Sequence, residues 1–237
     1  MTAPVLELAG VSKDYRSLRP LRIQRFVVQL HERVAILGLD QMMAEVFVNL
    51  ATGTTLPDSG EVKVFGRATS TIVDSAEWLT VVDRFGIVSD RAVLLDSFSV
   101  LQNLAVPFTL DIEPPPDEIA AQAADLAREV GLAESDWARP VAALTAAGRV
   151  KVRLGRALAL DPAIVLLEHP TAGVDPPGPA ELVGCLRAAA GRRRAAFVLI
   201  TADQIFATAV AERVLTLDAA TGRLDEPRRR WFGLGGG

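Results

Sequence analysis

The sequence predicts an α/β fold, a sheet of mostly parallel strands joined by crossover helices. Short apolar segments alternate with segments of helical periodicity, which is the order expected when helices connect the strands of one sheet. Several of these segments are rich in β-branched residues and lack alternation between apolar and polar residues, as is typical of strands covered on both faces. Half of the 237 residues are hydrophobic and 5% are aromatic, a composition that suits a globular protein and argues against disorder.

Eight segments are predicted to form strands, because each is short, apolar and bounded by turn-forming residues. They are 5–8, 23–29, 34–37, 61–64, 86–88, 164–167, 197–201 and 214–217. The strands of the first half lie close together and are joined by short turns at 58–60 and at Gly66, so we expect an antiparallel piece there.

The stretch between about residues 90 and 155 is predicted to be helical. Ser99 and Gln102 are spaced as a capping box, in which the serine accepts from a free backbone N–H and the glutamine reaches back. A second helix is expected to begin after the prolines at 114–116, with Asp117 and Glu118 where the helix dipole favours anions. An apolar stripe along that helix is formed by Ile119, Ala123, Leu126, Ala127 and Val130.

The chain is predicted to form a single domain over residues 1–237. Its α/β core is expected at about 1–89 and 155–220, with the helical segment of about 90–154 inserted as a subdomain. The segment 221–237 carries three consecutive arginines and ends in glycines, so we expect a flexible tail there.

Charge, cysteine content and the length of apolar runs bear on the partners and the location of the protein. The net charge is −4, so the overall charge does not favour nucleic acid as a partner. The single cysteine, Cys185, cannot form an internal disulfide, which is typical of the reducing cytoplasm. The N-terminus lacks the basic stretch and apolar run of a signal peptide, and apolar runs such as 195–200 are too short to span a bilayer. We therefore expect a cytoplasmic location.

One segment has the layout of a phosphate-binding loop without its residues. The third predicted strand ends in Gly38, and a helical pattern starts a few residues later, as in a P-loop. Gln41 and Met43 stand at glycine positions, where side chains would crowd a phosphate. The lysine position is Ala44, and the position of the metal-binding hydroxyl is Glu45.

The glutamate in this loop is expected to oppose phosphate binding. A carboxylate about 4 Å from a phosphate oxygen repels it by up to about 4 kcal/mol per charge pair at an effective dielectric constant near 20. Glu45 could instead be a ligand of Mg²⁺, which accepts carboxylates. We favour the first interpretation, with Met42 and Met43 filling the vacated space.

Eight segments follow one another in an order that is typical of one protein family. They are 11–15 (VSKDY), 32–38 (ERVAILG), 58–66 (DSGEVKVFG), 85–90 (FGIVSD), 144–148 (LTAAG), 156–162 (RALALDP), 164–175 (IVLLEHPTAGVD) and 200–203 (ITAD). Together they resemble the ATP-binding subunit of ABC transporters over nearly the whole chain. The resemblance implies a P-loop NTPase fold of the ABC type, with a RecA-like mixed or parallel sheet, an antiparallel β piece and a helical subdomain.

The resemblance also implies roles for single positions. Tyr15 would stack on adenine, Glu168 stands at the magnesium-linked aspartate, and His169 stands at the glutamate that polarises the attacking water. Asp90 takes the place of the Q-loop glutamine, and Ala202 takes that of the switch histidine, which contacts the γ-phosphate. All of these positions are expected to be vestigial.

Two further segments would meet a second subunit. The signature segment consists of Thr145, Ala146, Ala147 and Gly148. Its two alanines add methyl groups where the partner's γ-phosphate would approach, whereas the threonine can cap the helix that follows. Gly173 and Asp175 keep the shape of the D-loop, which lies at the dimer interface in the family.

These substitutions predict an ABC subunit that has lost ATP hydrolysis and acts as a structural or regulatory partner. It would pair with a second ATPase subunit, in a homo- or heterodimer, and lie under a membrane permease on the cytoplasmic face. The segment 93–107 resembles the coupling region of lipid or lipoprotein transporters, although its apolar residues could equally belong to the core. No metal site is predicted, and ATP with Mg²⁺ would be cofactors only if the altered site still binds them.

Two alternatives remain open at this point. One is an active ATPase that uses Glu45 and Glu168 for the metal and His169 as the general base. The other is a soluble interaction module outside transport.

Overall fold

The structure, a computed structural model, describes residues 4–226 and contains two sheets connected by helices. The strands are β1 (Leu6–Lys13), β2 (Leu21–Val28), β3 (Arg33–Leu37), β4 (Ser59–Val64), β5 (Arg67–Ala68), β6 (Phe85–Val88), β7 (Ile164–Glu168), β8 (Ala196–Ile200), β9 (Arg213–Asp218) and β10 (Arg223–Asp225). The helices are α1 (Gln41–Ala51), α2 (Ser75–Val82), α3 (Val100–Ala105), α4 (Asp117–Glu129), α5 (Ala146–Leu158), α6 (Gly178–Arg192) and α7 (Gln204–Val210).

The larger sheet confirms the predicted fold class. Its order is β10-β9-β3-β8-β7-β6, and the five strands from β9 to β6 are parallel, whereas β10 is antiparallel to β9. The smaller sheet, β2-β1-β4-β5, is antiparallel and is the piece expected in the first half of the chain. Each of the eight predicted strands is present.

The central strands are buried on both faces, which explains their unbroken apolar sequences. In β7, Ile164 and Leu166 belong to the core beneath α1 and the smaller sheet, whereas Val165 and Leu167 face the core formed with the helices from α3 to α7. Successive side chains of a strand point to opposite faces, so a two-sided core requires apolar residues at both.

The helical segment forms as predicted in its first two helices. The capping box of α3 is present, with the Ser99 hydroxyl accepting from the Gln102 amide and the Gln102 side chain accepting from the Ser99 amide. Helix α4 begins after Pro116 and buries the predicted stripe at Ala123, Leu126 and Ala127. The third helix, α5, extends past the boundary expected at residue 154 and leads directly to β7.

The tail differs from its prediction where the structure describes it. A flexible segment was expected from residue 221, but residues 223–225 form β10 and pair with β9. The β10 sequence has a single apolar residue, Leu224, so its pairing is set by the neighbouring strand and not by its own pattern. The rest of the expected tail, 227–237, lies outside the described residues.

Within residues 4–226, none of the helices combines the length and apolar content that crossing a bilayer requires.

The close approach of β6 and α5 predicts a strong effect of one methyl group. Because a Cβ at Gly86 would collide with the Ala157 carbonyl oxygen, we expect Gly86→Ala to lower the free energy of unfolding by about 1–3 kcal/mol. Gly184→Ala, on the exposed side of α6 with open space around it, should raise that free energy by up to about 1 kcal/mol. Urea denaturation followed by circular dichroism measures both, and equal effects would contradict the packing described.

Candidate functional site

The loop between β3 and α1 is a tight turn whose own side chain caps the helix. Gly38 has a φ of 90°, which favours glycine, and a Cβ there would lie 2.9 Å from the Leu217 carbonyl oxygen. Asp40 is the N-cap of α1, and its Oδ1 accepts from the Met43 amide at 2.8 Å. A helix N-terminus offers free amides to anions, so a carboxylate of the chain already uses one of them here.

The first turn of α1 is divided between core and solvent. Met43 and Ala44 are buried in the core under the smaller sheet, and Ala44 has no exposed surface. Gln41 is exposed, and Met42 is 57% exposed. Met42 therefore does not fill the loop as expected, and Met43 packs into the core. Glu45 is half-buried and turns toward the segment that follows β6.

A group of four residues, called here the Arg91 cluster, joins three elements at the carboxyl ends of the strands. The Glu168 carboxylate at the end of β7 is fully buried and accepts from Arg91 Nη2 at 2.5 Å and from the Ser89 hydroxyl at 3.1 Å. Arg91 Nη1 lies 3.1 Å from Glu45 Oε1 on α1. The single guanidinium therefore neutralises one carboxylate and shares its charge with a second.

The same loop is attached to α5 by its other residues. Asp90 pairs with Arg153 at 2.8 Å, and Arg153 Nε donates to the Ala92 carbonyl at 3.2 Å. Arg156 donates to the Val93 carbonyl at 2.7 Å, and burial lowers the pKa of its guanidinium below the ordinary value. Residues 90, 92 and 93 thus contact α5, whereas Ser89 and Arg91 contact the end of β7 and α1.

The predicted catalytic positions His169 and Ala202 lie at neighbouring strand ends. His169 has a φ of 42°, its amide donates to the Ile200 carbonyl at 2.8 Å, and its Nε2 is buried without a hydrogen-bond partner among residues 4–226. Ala202 is exposed between β8 and α7, and Asp203 beside it caps α7 by accepting from the Phe206 amide at 2.9 Å. His169 is partly exposed, whereas Ala202 brings no polar side chain to this edge.

The predicted signature segment opens α5. The Thr145 hydroxyl accepts from the Gly148 amide at 3.1 Å, which confirms the expected cap. Ala147 is buried, and its Cβ lies 3.1 Å from where a Cβ would stand at Gly178. The methyl group of Ala147 therefore packs against the start of α6, and only Ala146 of the two alanines is partly exposed.

The remaining predicted positions lie at the edges of this region. Gly173, with a φ of 67°, and Asp175 are exposed in the turn between β7 and α6. A groove of about 460 Å³ follows this turn, and Ile205 on its rim is 85% exposed. Tyr15 is half-buried after β1 and packs against the core of the smaller sheet.

The segment 93–107 belongs mostly to the core. Leu94, Val100 and Leu104 are buried in the helical core, whereas Val93 is 73% exposed. Val93 lies beside a groove of about 330 Å³, lined among others by Phe85, Arg153, Arg156 and Leu160. Of the two interpretations of this segment, the core therefore accounts for most of its apolar residues, and Val93 is available to a partner.

The structure brings together part of the predicted site and adds residues that sequence reasoning missed. Glu45, Asp90, Glu168 and His169 lie at one edge of the sheet, whereas the signature segment lies on a separate helix. The missed residues are Asp40, Ser89 and Arg91. A helix-capping aspartate before α1 was visible as a signal, but the partners of Arg91 depend on the three-dimensional fold.

Two chemistries receive no support from the described part of the chain. Between residues 4 and 226, no group of three or more histidine, cysteine, aspartate and glutamate side chains could hold a metal ion. Burial raises the pKa of the Cys185 thiol to about 11, so this cysteine stays protonated at neutral pH and is a poor nucleophile.

Comparisons with known proteins agree on one family. The family model described as ABC transporter matches residues 25–172. The chain is 28% identical over 226 residues to the lipoprotein-releasing system ATP-binding protein LolD of Chromohalobacter salexigens, covering 94% of this chain and 93% of that protein. It is 30% identical over 236 residues to the sulfate/thiosulfate import ATP-binding protein CysA of Bordetella parapertussis, covering 95% of this chain and 63% of that protein.

A solved structure supports the same fold. The protein cbiO1 of Clostridium perfringens, described as part of the ABC transporter complex cbiONQ, superposes with a TM-score of 0.78 at 20% identity. The superposition covers 94% of this chain and 87% of cbiO1.

Two substitutions distinguish the hydrogen bond of the Asp40 cap from the charge of its carboxylate. Asp40→Ala should lower the free energy of unfolding by about 0.5–2 kcal/mol, because the Met43 amide loses its acceptor. Asp40→Asn keeps an equally good cap without the charge, so its stability should stay close to that of the unaltered protein. Thermal and urea unfolding test this pair, and an equal loss in both variants would mean that charge, and not capping, stabilises the loop.

Proposed function

The chain belongs to the ABC transporter family, and from this premise we propose that it is an ATP-binding-type subunit without ATP hydrolysis. It serves as a structural or regulatory partner in a transporter. The observation that carries the proposal is the Arg91 cluster: the cation at the nucleotide cleft is already held by Glu45 and Glu168.

The cleft offers little attraction to phosphate. The position of the P-loop lysine is Ala44, whose side chain is enclosed in the core, so the charge-assisted hydrogen bonds of a lysine, each worth about 1.5–3 kcal/mol, are missing. The Met43 amide is used by Asp40, and Gln41 stands at a glycine position. The residues present therefore do not fit the triphosphate of ATP.

A metal ion does not compensate for this loss in the proposal. Phosphoryl transfer depends on positive charge around the transferred group. Glu45 and Glu168 could supply oxygen ligands, but both are paired with Arg91. A divalent ion would therefore first have to displace the guanidinium from both carboxylates.

The alternative of an active ATPase is disfavoured by the burial of His169 Nε2 and by the alanine at position 202. A general base must reach the proton that it removes, directly or through one water molecule. The Nε2 atom of His169 is buried without a partner in the described part of the chain. No residue at position 202 supplies an imidazole to the γ-phosphate, since this position is Ala202.

The subunit is proposed to work with a second ABC ATPase subunit and a membrane permease, on the cytoplasmic face of the membrane. The exposed turn at Gly173 and Asp175 is the proposed contact with the second subunit. Val93 and the groove beside it are the proposed contact with the permease. Likeness to LolD supports lipoprotein or lipid cargo, whereas likeness to CysA makes sulfate the competing cargo.

The chain is also proposed to form one domain with an inserted subdomain. We treat residues 1–237 as one ABC-type domain, with the helical subdomain at about 90–154 inserted in the α/β core. The site residues Tyr15, Glu168 and His169 are vestigial in this proposal, as are the altered positions of the loop and signature segments.

Calorimetric titration with ATP and Mg²⁺ tests the loss of nucleotide binding. We expect no heat of binding at millimolar ATP and no phosphate release, because the Arg91 guanidinium is already paired with Glu45 and Glu168. The LolD protein of Chromohalobacter salexigens, measured in parallel, controls for the sensitivity of both assays. Micromolar binding, or turnover that His169→Ala abolishes, would overturn the proposal in favour of an active ATPase.

Photo-crosslinking in cells tests the permease contact. A photo-crosslinking amino acid in place of Val93 should form an adduct with a membrane protein that mass spectrometry identifies as a permease, because this apolar side chain is 73% exposed beside a groove. The matched control is the same amino acid in place of Val73, which is 91% exposed elsewhere on the surface. Adducts with soluble proteins alone at position 93 would support an interaction module outside transport.

A further inference from the structure

The most unusual charge in the molecule is the carboxylate of Glu168. It lies at the end of β7 with no exposed side-chain surface, and its partners in the described chain are Arg91 and the Ser89 hydroxyl. A carboxylate removed from water must be paired and hydrogen-bonded, because leaving it alone is strongly destabilising. Both partners come from the same loop, so the loop supplies the counterion of the strand.

The second arm of the Arg91 guanidinium contacts a different element. Nη1 lies 3.1 Å from Glu45 on α1, while Nη2 contacts Glu168 at 2.5 Å. The Arg91 amide donates to the Ser89 hydroxyl at 3.2 Å, which turns the backbone so that the side chain points back over the sheet edge. A planar fork with several donors can bridge two carboxylates in this way, whereas a lysine ammonium is a single point charge.

The rest of the loop is held by α5, which packs on β6. Asp90 and the Ala92 carbonyl contact Arg153, and the Val93 carbonyl contacts Arg156, both on α5. Ser89 and Arg91 therefore contact the end of β7 and α1, whereas residues 90, 92 and 93 contact α5. Displacing Arg91 would remove its ion pairs with Glu45 and Glu168, whereas the contacts of the loop with α5 would remain.

We infer that Arg91 is a positioning residue that takes the place of a bound cation. It holds Glu45 and Glu168 together and thereby fixes the loop 89–93 on α1 and the end of β7. The conformation of this loop is then set by the chain itself and does not follow nucleotide or metal. This inference deepens the proposed function and rests on it only in the statement about nucleotide and metal.

Hydrogen exchange measured by mass spectrometry on the full chain tests the role of Arg91. Arg91→Ala should raise the exchange rate of the peptides covering residues 89–94 and the start of α1 by about tenfold or more. The reason is that the ion pairs with Glu45 and Glu168 are lost. The matched control is Arg67→Ala, which removes an arginine of similar exposure from its ion pair with Glu77. Unchanged exchange in Arg91→Ala, or an equal rise at 89–94 in Arg67→Ala, would overturn the inference.

Chemical rescue separates a positioned cation from a general loss of packing. Millimolar guanidinium, well below denaturing concentrations, should restore protection of residues 89–94 in Arg91→Ala, whereas the same concentration of sodium should not. Arg91→Lys should remain less protected than the unaltered protein, because one ammonium reaches one carboxylate at a time. If Arg91→Ala does not fold, the exchange of residues 89–94 is measured in Arg91→Lys and Arg91→Gln instead. Full protection of these residues in both variants would contradict the inference.

The same measurements distinguish this inference from the proposed function. With the unaltered protein, adding ATP and Mg²⁺ should leave the exchange of residues 89–94 unchanged. If calorimetry detects ATP binding and residues 89–94 exchange faster in Arg91→Ala, the proposed function is refuted and the positioning role is kept. No ATP binding together with unchanged exchange in Arg91→Ala would keep the proposed function and refute the positioning role.

Discussion

The architecture depends on the burial of β7 and β8 on both faces. Because these strands are covered by helices on one side and by α1 and the smaller sheet on the other, their backbones pair only within the sheet. Parallel strands covered in this way end at a common edge, and chain segments that leave the sheet meet there. This constraint brings Glu168, His169 and the loop after β6 to one edge, where the ion pair of Glu168 with Arg91 then holds the loop.

Much of the fold could be predicted from the sequence because burial leaves a pattern. Each central strand needs apolar residues on both faces, so its sequence is distinctive, and the capping residues before α3 and α5 mark helix starts. Helix α2 has no buried residue, and β5 has two residues. These elements leave no pattern, because their stability comes from neighbours.

The site was predicted less completely for a related reason. The candidate positions Ala44, Glu45 and His169 follow from local motifs; Ala44 and Glu45 lie at the start of α1, and His169 follows β7. The role of Arg91 depends on carboxylates 46 and 77 positions away in the sequence, and no local pattern contains that relation. The direction of the Ala147 side chain was equally beyond the sequence, since it depends on the approach of α6.

The complete burial of Ala44 bears on how such a chain evolves. A lysine introduced at this position alone would start from an enclosed site and would still meet Asp40 and Glu45, with Arg91 bound to the second of them. The effect of a substitution at any one of these positions therefore depends on the residues present at the others, which is epistasis. Where ion pairs such as those of Arg91 stabilise the fold, selection for folding alone favours keeping these residues together.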